Sequence, residues 1–423
     1  MKKIDKNYFA RVRVGLFTHY TYPTYAEGKG TNWGGTVFSG TDMSTASSAE
    51  EAAALFDGEA FADTANALGA EYVVFTVCHA GFNLLFPSRT MAETGCTWKC
   101  TEQSDVVAKL LTGLGRYGIP LVLYMPPNDD HDICDDDLEL LGWMRDGRED
   151  REARMEFHKR LIREIYERYG SKSIAGFWFD QGGPDASVCY TVRECNPDAV
   201  VFVNTGVTAN TVKHPNSDFI VSEYYGSIEG CDSDTLPVHY SQVNRQIGGW
   251  YATGGKAPTD ARNLYRYTVR TIAVEGQFNC GIAWSCGPYL NQTWVEGVRE
   301  LLYDLGALLR SREGIFGTVP GRSYTTAPNS TLDKSHWGVS TEAEDGSVVW
   351  LHVLNRPADG ILHLGKPADG RIFAAAYATP PHAAKSDTGY ERLSLKNLPD
   401  GGYEIVMPEI DFDDGLDTVI RLV

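Results

Sequence analysis

A chain of 423 residues, 43% hydrophobic and 22% charged, has room for one large barrel and a smaller domain. Its formal net charge of -18 argues against nucleic acid or an anionic membrane as a partner, because phosphate contact needs a basic face. No apolar run reaches membrane-span length, no apolar h-region follows Met1-Lys2-Lys3, and the nine cysteines form no dense framework, so a reduced, cytoplasmic chain is expected.

In chain order, Val12 to His19 reads as the first core strand. The stretch from there to Phe56, rich in Gly, Thr and Ser, is too long for a plain connector and reads as a functional loop or as small elements of its own. Helical spacing runs from Phe56 to Leu68 and stops at Gly69. Glu71 to Cys78 is rich in strand formers. Val106 to Tyr117 is helical, Ile119 to Met125 is a buried strand, and Glu149 to Tyr169 is a long amphipathic helix. Ser173 to Phe179 is a short apolar run that ends in Asp180, a glycine pair and Pro184, as a buried strand does. Further strands are expected at Ala199 to Asn204, Asp218 to Tyr225, weakly at Val238 to Val243, and at Phe278 to Cys286. Helices are expected at Thr259 to Val274 and Trp294 to Arg310. Such alternation predicts an α/β fold, a (β/α)8-like TIM barrel.

After Gly314 the helical signals stop. Short alternating runs such as Val348 to Leu354 take over, separated by Asp345-Gly346, Asp359-Gly360, Asp369-Gly370 and Asp400-Gly401. A C-terminal antiparallel β-sandwich is therefore predicted, with residues 1–316 forming the catalytic domain and 317–423 the second domain.

The expected strand ends carry a ring of polar and aromatic residues: His19, His79, Tyr124, Trp178 with Asp180, Asn204 and Glu223, with Trp33 in the first loop. The carboxyl end of barrel strands faces substrate, so such a ring reads as a pocket. Aromatic rings stack on the apolar face of a sugar, His and Asn bond hydroxyls, and two carboxylates can cleave a glycosidic bond. The competing reading of Asp180 is a cap on the helix that follows. Metal is not predicted. His19, His79 and His131 form no paired motif with a nearby acid. The acidic run from Asp129 to Asp137 reads as a solvated loop, and Cys96 and Cys100 lack a second pair. Phosphate-cradling glycine loops and a GxSxG nucleophile turn are absent from the sequence, so no cofactor is implied.

Several of these residues resemble the α-L-fucosidases of glycoside hydrolase family twenty-nine. Gly15-Leu16-Phe17-Thr18-His19 is similar to the family's "GLFIHWG" opening, and Phe61 to Phe82, with Leu68-Gly69-Ala70-Glu71-Tyr72 and His79-Ala80-Gly81-Phe82, to its "aGAkY…tKHHDGF" stretch. Phe177-Trp178-Phe179-Asp180 resembles "lWFDg", and Ser311 to Thr318 resembles the "nGEaIYgT" bridge into the β-domain. Three positions depart from the pattern. Cys78-His79 stands for paired histidines, Asn32-Trp33 for Glu-Trp, and Asn204-Thr205-Gly206 where an arginine is expected.

The resemblance implies an exo-acting retaining glycoside hydrolase that takes a carbohydrate substrate, with Asp180 as nucleophile. Glu223 is the first choice for acid/base, with Glu229, Asp232 and Asp234 as alternatives. His19, Trp33, His79, Tyr124, Trp178 and Asn204 would bind the sugar. The alternatives are activity on another fucose-like ring, such as an α-L-galactoside, and a non-catalytic sugar-binding relative. The sequence sets no oligomeric state.

Overall fold

The computed structural model describes residues 3–20, 49–96, 100–101, 103–128, 133, 135–205, 213–224, 242–246, 257, 259–274, 281–326, 336–381, 389–408 and 415–423. Eight parallel strands form one curled sheet: β1 (Val14–Thr18), β2 (Tyr72–Thr76), β3 (Leu121–Met125), β4 (Ile174–Phe179), β5 (Val200–Val203), β6 (Val221–Tyr224), β7 (Gln242–Gln246) and β8 (Gly281–Ser285). Their order is β5-β4-β3-β2-β1-β8-β7-β6. Among the described residues no ladder joins β5 to β6. Ser217 and Asp218 bridge that seam instead. The Val201 N–H donates to Asp218 Oδ2 at 2.8 Å, the Asp218 N–H returns to the Val201 carbonyl at 2.8 Å, and the Val203 N–H donates to Ser217 Oγ at 3.0 Å.

β1 to β5 and β8 read as nearly continuous apolar runs because both of their faces are buried. Side chains alternate across the sheet. Phe17, Val74, Val122, Tyr124, Trp178, Phe202, Val221 and Ala283 fill the barrel interior. Leu16, Val73, Phe75, Leu123, Phe177, Phe179, Val201 and Trp284 face the surrounding helices. A short helix, Lys6–Phe9, capped by Asp5, places Phe9 edge-on to Tyr72 and Phe202 within the interior cluster. Gly176 allows β4 to lie close to β5, since a Cβ there would meet the Val200 carbonyl oxygen at 1.9 Å. The helix Val298–Arg310 turns Val298, Leu301, Leu302, Leu305 and Leu309 inward, one stripe at helical period.

Of the strand expected at Val238 to Val243, residues 242 and 243 fall in Gln242–Gln246, and residues 238–241 lie outside the described residues. The helix after Asp180 is Ala186–Cys195, with Asp185 in the cap position, so Asp180 does not cap it. The acidic run is not wholly a solvated loop. Asp135–Leu140 is helical, Asp137 is buried, and the Cys96 thiol lies 3.5 Å from its Oδ1. Residues 129–132 and 134, His131 included, lie outside the described residues.

The tail is antiparallel. β9 (Thr318–Pro320), β10 (Gly338–Ala343), β11 (Val349–Val353), β13 (Ala376–Thr379), β14 (Glu391–Leu393) and β17 (Thr418–Leu422) form one sheet, in the order β9-β10-β11-β17-β13-β14. β12 (Ile361–Leu364), β15 (Leu395–Asn397) and β16 (Tyr403–Val406) form a second. Val349, Leu351 and Ile420 from the first sheet share a core with Leu362, Leu364, Tyr403 and Ile405 from the second, which makes a sandwich. The four Asp-Gly turns all place glycine at positive φ. The sandwich is tied to the barrel by buried polar bonds. Arg13 Nε donates to the Thr318 carbonyl at 3.0 Å, and the Tyr265 hydroxyl donates to Asp417 Oδ2 at 2.6 Å. His352 Nδ1 lies 2.8 Å from the same oxygen.

Candidate active site

Asp180 follows β4 at the carboxyl end of the barrel and is buried. A tight turn fixes its backbone. The Gly183 N–H donates to the Asp180 carbonyl at 3.0 Å, and both intervening residues, Gln181 (φ 54) and Gly182 (φ 80), are left-handed. Positive φ is uncommon for a residue with a side chain, and such backbone strain gathers at functional sites. Asn128, in the loop after β3, braces the turn. Its Nδ2 donates to the carbonyls of Gln181 at 3.0 Å and Gly183 at 2.6 Å. Gly183 itself has φ 73, and a Cβ there would lie 2.2 Å from Val203 Cγ1.

The carboxylate is held on both oxygens. The Tyr124 hydroxyl, from β3, donates to Oδ2 at 2.6 Å. Asn204 Nδ2, just past β5, donates to Oδ1 at 2.8 Å. His79 stacks parallel to Tyr124, 5.3 Å between ring centres. His19 stands edge-on to both, at 4.8 Å from Tyr124 and 5.2 Å from His79, and stacks on Phe17 at 5.0 Å. The structure thus brings His19, His79, Tyr124, Asn204 and Asp180 into one cluster.

Trp178 sits lower. It is fully buried in the barrel interior, its ring 5.2 Å from Phe17 and 5.1 Å from Phe202. It forms the floor under the cluster. Glu223 lies on β6 in register with Asn244, two residues beyond the interior residue Val221, at the carboxyl end of its strand. Trp33 and Asn32, and the alternative acids Glu229, Asp232 and Asp234, lie outside the described residues.

Burial raises the pKa of Asp180 above its ordinary value. The Tyr124 bond, a hydrogen bond from the Gln181 backbone, the charge of His79 and the Asn204 bond oppose that rise. Burial pushes His19 well below the usual histidine range, and His79 adds to that shift. At neutral pH His19 is therefore uncharged, with one nitrogen to donate and one to accept. An ionisable carboxylate beside a neutral imidazole and a phenol suits a polyhydroxylated substrate with an electrophilic carbon.

Asn128 and the strained Gln181 had no distinct sequence signal beyond the Pro126-Pro127-Asn128 and Gly182-Gly183-Pro184 turns around them. Cys78 is not part of the cluster. Its side chain is fully buried and groups with the outer hydrophobic layer.

A strand-end carboxylate in a parallel barrel, followed by an antiparallel β-domain, is a layout that suits a barrel-type glycoside hydrolase. The Alpha-L-fucosidase family model matches residues 2–278, and the chain belongs to that family. No curated protein matches it. Among solved structures it is similar to alpha-L-fucosidase isoenzyme 1 from Paenibacillus thiaminolyticus, at 17% identity and a TM-score of 0.68, covering 99% of this chain and 98% of that one. It is also similar to an alpha-L-fucosidase from Bacteroides thetaiotaomicron, at 16% identity and a TM-score of 0.66, covering 99% and 94%. The Thermotoga maritima alpha-fucosidase gives 16% identity and a TM-score of 0.62, covering 100% and 97%. These likenesses bear on the fold, which is the barrel with a second β-rich domain. Among the described residues no helix is long and apolar enough to cross a membrane.

Proposed function

We propose that the chain hydrolyses terminal α-L-fucosides with retention of configuration, and that Asp180 is the nucleophile. One Asp180 oxygen bonds to the anomeric carbon as the bond to the aglycone oxygen breaks. Glu223 gives its proton to that leaving oxygen, then takes a proton from water as the water oxygen attacks the same carbon. The ester bond breaks, its electrons return to Asp180, and the sugar leaves. The observation that carries this reading is the buried Asp180 carboxylate, braced at a barrel strand end with a donor on each oxygen. A solved structure of similar fold is described as a trapped covalent intermediate with 2-fluoro-fucosyl fluoride, which supports the covalent route. His19 and His79 are the proposed hydroxyl-binding groups, with Trp33 as a stacking surface. The buried thiols of Cys96, Cys100, Cys189 and Cys286 are consistent with a reducing, cytoplasmic setting.

A panel of nitrophenyl glycosides tests the substrate, and azide tests the nucleophile. Asp180→Ala should lose several orders of magnitude in turnover and regain part of it with azide, giving a fucosyl azide of inverted configuration. Near-normal turnover in that variant removes Asp180 from the role. For Glu223→Gln, substrates with poor leaving groups should slow far more than activated aryl fucosides. Equal slowing gives Glu223 a binding or structural role and leaves Glu229, Asp232 and Asp234 as the candidates for the acid.

A further inference from the structure

We infer that Asn204 is a positioning residue that works through Asp180, rather than a group that binds the sugar; this rests on Asp180 being the nucleophile. Three bonds carry the inference. The Asn204 N–H donates to the Phe179 carbonyl at 2.8 Å, and its own carbonyl accepts from the Gly182 N–H at 3.1 Å. Its side chain donates to Asp180 Oδ1 at 2.8 Å. One fully buried residue therefore grips the chain on both sides of Asp180 and the carboxylate between them.

Tyr124 holds the other oxygen from the opposite side, since β4 runs between β3 and β5. Each oxygen has its own donor, from its own neighbouring strand. Rotation of the carboxylate plane would break both bonds, so the plane is set before substrate arrives. The arrangement also suits the chemistry. On attack one oxygen becomes the ester oxygen and the other the ester carbonyl. Whichever oxygen attacks, the second keeps its donor. When the ester later breaks, the charge returns to a carboxylate whose donors are already in place.

A sugar-binding asparagine and a positioning asparagine differ in kinetics. Loss of uniform binding raises KM and leaves kcat; loss of an interaction used in the transition state lowers kcat. Asn204→Ala should lower kcat roughly 10- to 100-fold on a nitrophenyl fucoside, the range expected for a lost hydrogen bond to a charged group, with KM within about threefold. The acidic limb of its kcat/KM profile should move to higher pH, because Asp180 has lost a donor that favours its ionised form. Asn204→Asp, close in shape, puts a second acid beside Asp180 and should move that limb in the same direction; it decides the matter if the alanine variant does not fold. A raised KM with unchanged kcat overturns the inference in favour of direct sugar binding. A fall in kcat that tracks a lower melting temperature, with the acidic limb unmoved, overturns it in favour of a purely structural role.

Labelling by 2-fluoro-fucosyl fluoride, read by mass spectrometry of peptides, separates the two levels of the reading. Label on a residue other than Asp180 in the unmodified protein defeats the nucleophile assignment. Label on Asp180 in both proteins, acquired equally fast, defeats the positioning role alone. Slower label on Asp180 in the alanine variant supports both.

Discussion

Trp178 gives a sharp test of where the barrel interior ends and the sugar site begins. Its ring is fully buried, between Phe17 and Phe202, and among the described residues its indole N–H has no hydrogen-bond partner. Trp178→Phe removes part of a buried ring, worth about 2 kcal/mol at roughly 0.8 kcal/mol per buried carbon group. It also removes a buried N–H without a partner, which costs the folded state about 1–3 kcal/mol. The two effects oppose each other, so stability should change by no more than about 1 kcal/mol. Trp178→Ala has no such compensation. It should cost about 3–5 kcal/mol, the range for deleting a large buried aromatic. At roughly 2 °C per kcal/mol for a large domain, its melting temperature should fall by about 6–10 °C. Thermal unfolding of both variants, with fucoside kinetics taken well below the transition, makes the comparison. The phenylalanine variant should keep its KM within about twofold, because the ring lies under the cluster and not in contact with substrate. A KM many times higher in that variant, with melting unchanged, would show that Trp178 stacks on the sugar and that the interior is misplaced.

Tyr124→Phe keeps the ring that stacks on His79 but removes the donor to Asp180 Oδ2. Turnover should fall roughly tenfold or more and the acidic limb of kcat/KM should move to higher pH; a limb that stays put rules out the bond in the working enzyme. Asp180→Asn should raise stability at neutral pH. Burial lifts the Asp180 pKa above its unfolded value, so ionisation costs the folded state nothing below the unfolded pKa and its full amount above the folded one. The gain in melting temperature should therefore be largest at neutral pH and fade as pH falls toward the ordinary carboxylate range; a gain that grows on acidification would contradict the sign.

Much of the barrel was legible because β1 to β5 and β8 are buried on both faces. Tyr72 to Thr76 and Leu121 to Met125 are almost wholly apolar or β-branched, and five-residue runs of that kind, closed off by turn residues, suit a doubly covered strand. Asp180 stood out because a lone acid ends one of these runs. What holds Asp180 was not legible in the same way. Asn204 looked like one more polar strand end, yet its backbone and side chain close on a turn 24 positions earlier. Asn128 reaches 53 and 55 positions along the chain to brace that turn. Ser217 and Asp218 seal the β5–β6 seam with side-chain oxygens in place of ladder carbonyls, and no periodic pattern announces a substitution of that kind. A helix after Asp180 was expected only as something for Asp180 to cap, and the bounds Ala186–Cys195 were not legible because the apolar stripe is short and interrupted by polar residues.

Cys78 shows how a one-residue change of register alters a functional reading. Strict alternation from Tyr72 and Val74 would turn residue 78 inward, and its thiol would then open space in the sugar site. β2 ends at Thr76, however, and alternation ends with it. The Val77 N–H donates to the Tyr124 carbonyl, and the Val77 carbonyl accepts from the Leu85 N–H. The chain turns here: Val77, Cys78, Leu84 and Leu85 all lie in the outer layer, while His79 stacks on Tyr124. Cys78→His would therefore force a ring into a packed wall. Overpacking costs about 1–3 kcal/mol. At roughly 2 °C per kcal/mol, melting should fall by about 2–6 °C. Activity on every glycoside tested should decline together, because the damage lies behind the site. Melting curves and kinetics on two sugars decide it. An unchanged melting temperature with a selective gain on α-L-fucosides would place residue 78 in the pocket after all, and the outward placement of its side chain would be wrong.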